Sequence, residues 1–381
     1  MSKEDVVSLI VYTLMIATAA IIGFGVISPS LEGVSQINGM QITAFLILAL
    51  IISAILQVIL FEVGHVLGAK IGKYKIISFN ILGFCIYKTY DQKNNKFVTK
   101  FKFPKAFDGL TGETLIMPKS EKSTPIPFVW APLFIYAIEV AFLVIAYSLI
   151  SDKVKGGQNP LMFFKYFQLI LVTVGGMLFI YDYFPAKLDS ITDGYRLVLL
   201  NKKINIEAYN VLLNIEGDEF LGIENNTYEV FDTITDFSAL VNLSTVRNYF
   251  KNEKYDEALT LLDKIIENKV KVSTETLYKA KTYKLNILIV LDKLDDAQKL
   301  FDSLGSKEKD YIKRNYSMLT IRTSILYYGI LEKSQSEVNE QLRRVKKALE
   351  KESEVSKKNE KIFLEKAKEI LKERAKEIKV K

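Results

Sequence analysis

The 381-residue sequence contains one cysteine, Cys85, and one histidine, His65. A single cysteine excludes an intramolecular disulfide and any zinc site built from thiolates. A metal centre would have to use His65, carboxylates and water. A concentrated basic face is also missing. The net charge is +7, from 51 Lys and Arg against 44 Asp and Glu, but the cations of the second half are interleaved with almost as many carboxylates. That is the pattern of solvated helix faces, and nucleic acid is not expected as a partner.

What the chain does have is an uneven distribution of apolar residues. The first ~200 residues are apolar and aromatic-rich, and the remainder is dense in Lys and Glu, which predicts a membrane part followed by a soluble part. Four runs, roughly Val6 to Ile27, Ile42 to Phe61, Phe128 to Ile150 and Tyr166 to Phe184, reach the ~20 residues that a helix needs to cross a bilayer. The first exceeds the apolar core of a signal peptide and is read as a retained helix. Residues 28–40 carry no Lys or Arg, whereas Lys70 to Lys122 is lysine-rich. Positive charge stays inside, so the N-terminus, the 70–122 segment and the C-terminal half are expected on the cytoplasmic side of the cell membrane. Glu139 falls in the third run, where an ionisable group must face protein or water; it is not counted in the site. The runs show no inverted repeat, which disfavours a transporter.

Between the second and third runs, Ile76–Tyr87 and Lys96–Phe103 flank the polar stretch Asp91–Asn95. The second run largely alternates, so the two read as a β-hairpin at the membrane surface, with an edge able to pair with an extended peptide.

The stretch Leu60-Phe61-Glu62-Val63-Gly64-His65 closes the second apolar run. With histidine at position 61 it would read H-E-V-G-H, the helical zinc signature in which two histidines four apart share a face and the glutamate acts as general base. After the fourth run comes Asp182-Tyr183-Phe184-Pro185, then Asp193-Gly194, which the expected topology puts at the same membrane face as His65.

In this combination the chain resembles the site-2 protease family of membrane-embedded zinc metalloproteases over about residues 1–200. The family pattern is H-E-x-x-H on one membrane helix, a hairpin after it, and N-x-x-P followed by D-G on a later helix. The sequence matches it at Glu62, Gly64, His65, Pro185, Asp193 and Gly194 and departs from it at Phe61 and Asp182. The resemblance implies intramembrane metalloendopeptidase activity on membrane-anchored proteins or peptides near the cytoplasmic face. It implies zinc on His65 and Asp193, Glu62 as catalytic base, and a substrate strand along Phe97, Val98, Thr99 and Phe101. Phe61 has no lone pair. Zinc binding is therefore expected to be weak or absent, and the chain to be either an enzyme blocked at one residue or a natural pseudoprotease that acts as a membrane adaptor.

Residues 201–381 are expected to form an all-α soluble domain. Lys254–Asp263 recurs as Lys293–Asp302, each copy with an alanine, Ala258 or Ala297, at the fifth position. The pair resembles a degenerate tetratricopeptide array whose concave surface would take a cytoplasmic protein partner. Val345 to Lys381 reads as one charged, solvated helix.

In a Cys85→Ser background, a membrane-impermeant thiol reagent applied to intact cells is expected to label a cysteine placed at Ser35 and to spare one at Asn94. The reverse pattern would invert the topology.

Overall fold

The computed structural model describes residues 3–27, 39–91, 96–103, 112–151, 160–187, 192–224 and 229–380. The chain divides into two compact units, Met1–Ile206 and Glu207–Lys381.

In the first unit, α1 (Lys3–Ile22) ends in a π-helical turn, Gly23–Ile27, and is followed by α2 (Gly39–Ile71), α3 (Ile126–Ser151), α4 (Pro160–Asp182) and the short α5 (Asp193–Leu200). Four stretches, Val6–Gly25, Thr43–Ile71, Ile126–Ile150 and Phe163–Asp182, are long and apolar enough to cross a membrane. Their outward faces are apolar, and no pattern of one wet face is needed in such helices. α2 continues ten residues past Phe61, where the apolar run ends. Glu62, Gly64, His65, Gly68 and Ala69 are buried in the protein, so polarity there marks internal packing.

α2 packs on both α3 and α4, and three glycines set its distance from α3. A Cβ at Gly64 would lie 2.5 Å from Pro132 Cα, one at Gly68 would lie 2.3 Å from the Pro127 carbonyl oxygen, and one at Gly72 would lie 2.4 Å from that of Thr124. Gly64 and Gly68, four apart, line one side of the helix and let the two helix backbones touch, and Gly72 does the same for the chain just past the end of α2. Deeper in the unit, Gln57 donates to Glu139 Oε1 at 2.8 Å and to the Leu171 carbonyl at 3.0 Å. Glu139 is thereby tied to α2 and, through Gln57, to α4, as an ionisable group among apolar helices must be.

The polar segment after α2 forms a four-stranded antiparallel sheet, β1 (Tyr74–Ile81), β2 (Phe84–Asp91), β3 (Lys96–Lys102) and β4 (Gly112–Pro118), in the order β3-β2-β1-β4. The run expected as one strand, Ile76–Tyr87, is itself a hairpin. Leu82 (φ 53) and Gly83 (φ 83) both take positive φ, as a two-residue turn of primed type requires. The expected β2–β3 pairing is present, with Ile86 opposite Phe101 and Cys85 opposite Lys102. The stretch 92–95 between them lies outside the described residues. β4, absent from the sequence reading, pairs with β1 from Tyr74↔Pro118 to Ile81↔Gly112.

The sheet folds back along α2. The Tyr74–Pro118 end follows the helix terminus, and the Gly112 end lies against Glu62, nine residues or about 13 Å back along the helix. Around that end β2, β3 and the residue after β3 expose Phe84, Ile86, Phe101 (69%) and Phe103 (72%), while the alternate residues Lys100 and Lys102 take the opposite face.

The second unit is helical. Beyond α6 (Lys203–Leu221) come α7 (Asp236–Lys251), α8 (Tyr255–Glu267), α9 (Thr274–Val290), α10 (Leu294–Ser303), α11 (Ser306–Arg314), α12 (Met318–Leu326, extended by the π-turn Tyr327–Leu331), α13 (Gln335–Lys351) and α14 (Glu354–Val380). The pairs α7–α8, α9–α10 and α12–α13 are helical hairpins whose turns each hold one residue in the left-handed region, Glu253 (φ 59), Asp292 (φ 60) and Lys333 (φ 52). At the fourth residue of the returning helix stand Ala258, Ala297 and Val338, all buried. The charged segment expected as one helix from Val345 to Lys381 is broken at Glu352–Ser353 into α13 and α14.

Gly68→Ala is expected to destabilise the detergent-solubilised protein by about 1–3 kcal/mol, because the added methyl meets backbone on α3. Gly23→Ala, with open space around the new carbon, is expected to be neutral to within about 0.5 kcal/mol. Thermal unfolding followed by circular dichroism compares the two.

Candidate functional site

His65 is oriented by a proline on the neighbouring helix. Inside α3, Pro132 has no N–H, so the Phe128 carbonyl four residues earlier has no helical donor. The Gly64–Pro132 contact brings that carbonyl to His65, whose Nδ1 lies 3.1 Å from it. A carbonyl oxygen only accepts, so Nδ1 carries the proton and, in the neutral ring, Nε2 presents a lone pair. One residue on, the Val129 carbonyl accepts the Tyr183 hydroxyl at 2.6 Å, which fixes the chain beyond α4.

Asp193 arrives at the start of α5, where Thr192 is the N-cap and accepts from the Tyr195 N–H at 3.4 Å. Glycine follows for a steric reason: a Cβ at Gly194 would lie 2.2 Å from the Tyr183 carbonyl oxygen. Asp193 is buried. Its Oδ1 accepts from Arg196 Nη1, and its Oδ2 lies 3.3 Å from His65 Nε2 and makes no hydrogen bond. Burial pushes the Asp193 carboxyl up to about 6, against the opposing pull of Arg196. Burial, then the Asp193 and Asp182 carboxylates, raises the Tyr183 phenol. Asp182 Oδ2 is likewise buried without a hydrogen bond.

Two acceptors, His65 Nε2 and Asp193 Oδ2, thus converge. Zinc holds N and O ligands at ~2.0–2.2 Å, and a tetrahedral angle between them gives a separation of about 3.4 Å. The 3.3 Å observed is the edge that such a pair would span. Phe61, four residues before His65 on the same helix, stands beside this pair. Its ring meets His65 edge-on at 4.8 Å and packs on Phe179 at 5.6 Å and Tyr183 at 6.4 Å, while Phe128 covers His65 from 4.5 Å. Among the described residues no group of three His, Cys, Asp or Glu side chains is placed to hold a metal ion. The donor set, two ligands and an aromatic ring, does not fit a catalytic zinc.

Glu62 is buried beside this pair. Its Oε2 accepts from Thr114 Oγ1 at 2.5 Å, and Gly112 leaves room for it, since a Cβ there would lie 2.5 Å from Glu62 Cγ. The strand at the site is therefore β4. Phe97, Val98, Thr99 and Phe101 lie on β3, the other edge of the sheet, three strand spacings or about 14 Å from β4.

Sequence reasoning missed several contributors. Gly68 and Gly72 extend the motif residue Gly64 into a stripe of small residues that the sequence already displays. Gly112-Glu113-Thr114-Leu115-Ile116-Met117-Pro118 is a short apolar run between breakers, as strands often are. Arg196 stands one turn after Asp193, where a cation partners a carboxylate. The Phe128 carbonyl is a backbone group, and its only trace is Pro132.

In comparisons with known proteins, no family model, no curated protein and no solved structure matches the chain.

Arg196→Met is expected to cost about 3 kcal/mol, since it leaves the Asp193 carboxylate buried without a cation. Adding Asp193→Asn should recover most of that loss. The cost should grow as pH rises through about 6, where Asp193 ionises. Unfolding of the two variants in detergent at pH 5 and pH 7.5 measures this, and equal losses at both pH values would remove the charge explanation.

Proposed function

We propose that the chain is a membrane-embedded, site-2-protease-like protein that engages membrane-anchored peptide beside Glu62 and, with phenylalanine at position 61, does not cleave it. The observation that carries this reading is the convergence of His65 Nε2 and Asp193 Oδ2 at 3.3 Å, with no hydrogen bond to that carboxylate oxygen. Two lone pairs facing each other are unfavourable unless something positive is shared between them, and a metallopeptidase site supplies such a role. Glu62 stands on the same helix where that site keeps its base. Four apolar helices support a membrane location, and lysine asymmetry supports a cytoplasmic face for the site.

A peptide bond within a helix is shielded by its own hydrogen bonds, so a bound segment has to be extended, and a sheet edge is the natural partner for an extended segment. β4 is the edge that touches Glu62, so it supports this role better than Phe97–Phe101 on β3. The three helical hairpins, with their shared left-handed turn residue, support the reading of the second unit as a tetratricopeptide-like repeat domain that docks a cytoplasmic partner. That division of labour suits an adaptor.

The test is ligand count. The protein as it stands is expected to hold far less than one zinc per chain, and Phe61→His to raise this to about one, because a third protein ligand completes the usual set. Elemental analysis after gel filtration decides it. Stoichiometric zinc with Phe61 in place, or no gain on Phe61→His, would overturn the reading. Cleavage of a membrane-anchored reporter by the Phe61→His chain, lost again on Glu62→Gln, would identify the protein as an enzyme blocked at one position.

A further inference from the structure

The sheet of the first unit has one apolar face, and part of that face rests on α2. Directly paired residues share a face, so the register places Thr114, Phe79, Ile86 and Phe101 in one row across the four strands. At one end of the row Thr114 donates to Glu62 on α2. At the other end, on β2 and β3, Ile86 and Phe101 are exposed. The neighbouring row repeats the pattern. Gly112 lies against Glu62, Ile81 and Phe84 follow it across the strands, and the exposed ring of Phe84 meets that of Phe103 edge-on at 5.8 Å. The sheet therefore continues past α2 as a shelf, with its apolar side turned the same way as the side that packs on the helix.

The polar side chains of this shelf stand elsewhere. Lys102, paired with Cys85, and Lys100, paired with Tyr87, occupy the opposite face. On the apolar face itself the next row, toward the Tyr74 end, sets Lys88 opposite Thr99. An apolar patch bordered by lysines is the composition of elements that lie in the boundary between lipid headgroups and acyl chains.

The depth agrees. Gly64 meets Pro132 and Gly68 meets Phe128, so Trp130, the one tryptophan of the chain, stands level with Val66 and is exposed. A tryptophan near the end of a membrane helix marks the membrane–water interface. Glu62, where both rows begin, is one turn or about 6 Å farther into the apolar stretch, and interfacial elements sink by ~5–10 Å. β3 is an edge of the sheet, and the hydrocarbon core does not tolerate an open edge. That holds the shelf at the boundary and out of the core.

We infer that the exposed apolar face of β2 and β3 is a lipid-docking surface, on which Phe84, Ile86, Phe101 and Phe103 rest against the acyl boundary of the bilayer beside Glu62. The inference rests on the membrane location proposed above. It gives the β3 side chains to lipid and leaves the β4 edge for an extended peptide.

The experiment places the full chain in phosphatidylcholine vesicles, plain or brominated near the headgroup end of the acyl chain, and reads tryptophan emission, which bromine quenches on contact. The native chain, reporting from Trp130, is the reference. Trp130→Phe combined with Phe101→Trp moves the reporter to the shelf and is expected to lose about half of its emission or more, as an interfacial ring should. Trp130→Phe combined with Lys100→Trp moves it to the opposite face, where the loss should be at most about a quarter, with acrylamide in the water as the stronger quencher. Quenching at Trp130 without quenching at position 101, or equal quenching at positions 100 and 101, would overturn the inference while leaving the membrane location in place. No quenching at Trp130 would overturn both. Should the Phe101→Trp chain not fold, judged by gel filtration and circular dichroism, Phe103→Trp reports from the same face and is held to the same outcomes.

Discussion

The first unit depends on one close approach. Gly64 and Gly68 of α2 bring its backbone against the start of α3, and the proline that Gly64 meets is also the residue that frees a carbonyl for His65. Had residue 132 an N–H, Phe128 would spend its oxygen inside α3 and His65 would lose its orienting partner. Had Gly64 a side chain, the two helices would stand too far apart for the contact. The geometry of a side chain on α2 is thus fixed by what two residues lack. The same arrangement exposes the Val129 carbonyl to Tyr183, and Tyr183 in turn supplies the surface on which the Asp193–Gly194 backbone rests. His65 and Asp193 are brought to 3.3 Å by this chain of contacts, although they are 128 positions apart in sequence.

Apolar length makes the four long helices legible in the sequence, because nothing but a long apolar run can give a long apolar helix. The boundaries are less legible. α2 runs on through Glu62 and His65 because both have partners inside the protein, and hydropathy cannot distinguish a buried, partnered polar group from a solvated one. The turn at Leu82–Gly83 is hidden inside an apolar run and is marked only by its glycine. At the site, Glu62, His65 and Asp193 are recognisable by residue type and order. Thr114, Arg196 and the Phe128 carbonyl are not, since their roles follow from which strand, helix turn or backbone group happens to stand nearby. Of the strands, β3 declares itself by alternation, but alternation does not say which edge of a sheet will meet a helix.

The two units treat buried charge differently. In the first, Asp193 is compensated on one oxygen by Arg196, and its other oxygen faces a second acceptor. In the second, Arg322 on α12 and Glu360 on α14 are paired, yet the guanidinium keeps two unsatisfied nitrogens among the rings of Phe250, Tyr283 and Phe363. Neither arrangement is one that packing alone would select, because an apolar core of equal volume would avoid the desolvation of every one of these groups. In both places the polar atoms are held by close-packed neighbours, glycine-packed helices in one unit and aromatic rings in the other.

The left-handed residues at the hairpin turns carry a further consequence. Glycine is the residue that adopts such a conformation without steric penalty, and Glu253 and Asp292 adopt it while also presenting the carboxylates that hold Lys366 and Arg374. A glycine at either position would relax the turn and remove one ion pair to the last helix in the same step. Backbone ease and side-chain grip are therefore set against each other at a single residue, so variation at these turns is constrained by α14, far away in sequence, as well as by the hairpin itself. A chain that lost α14 would lose that constraint, and its turns would be free to drift toward glycine.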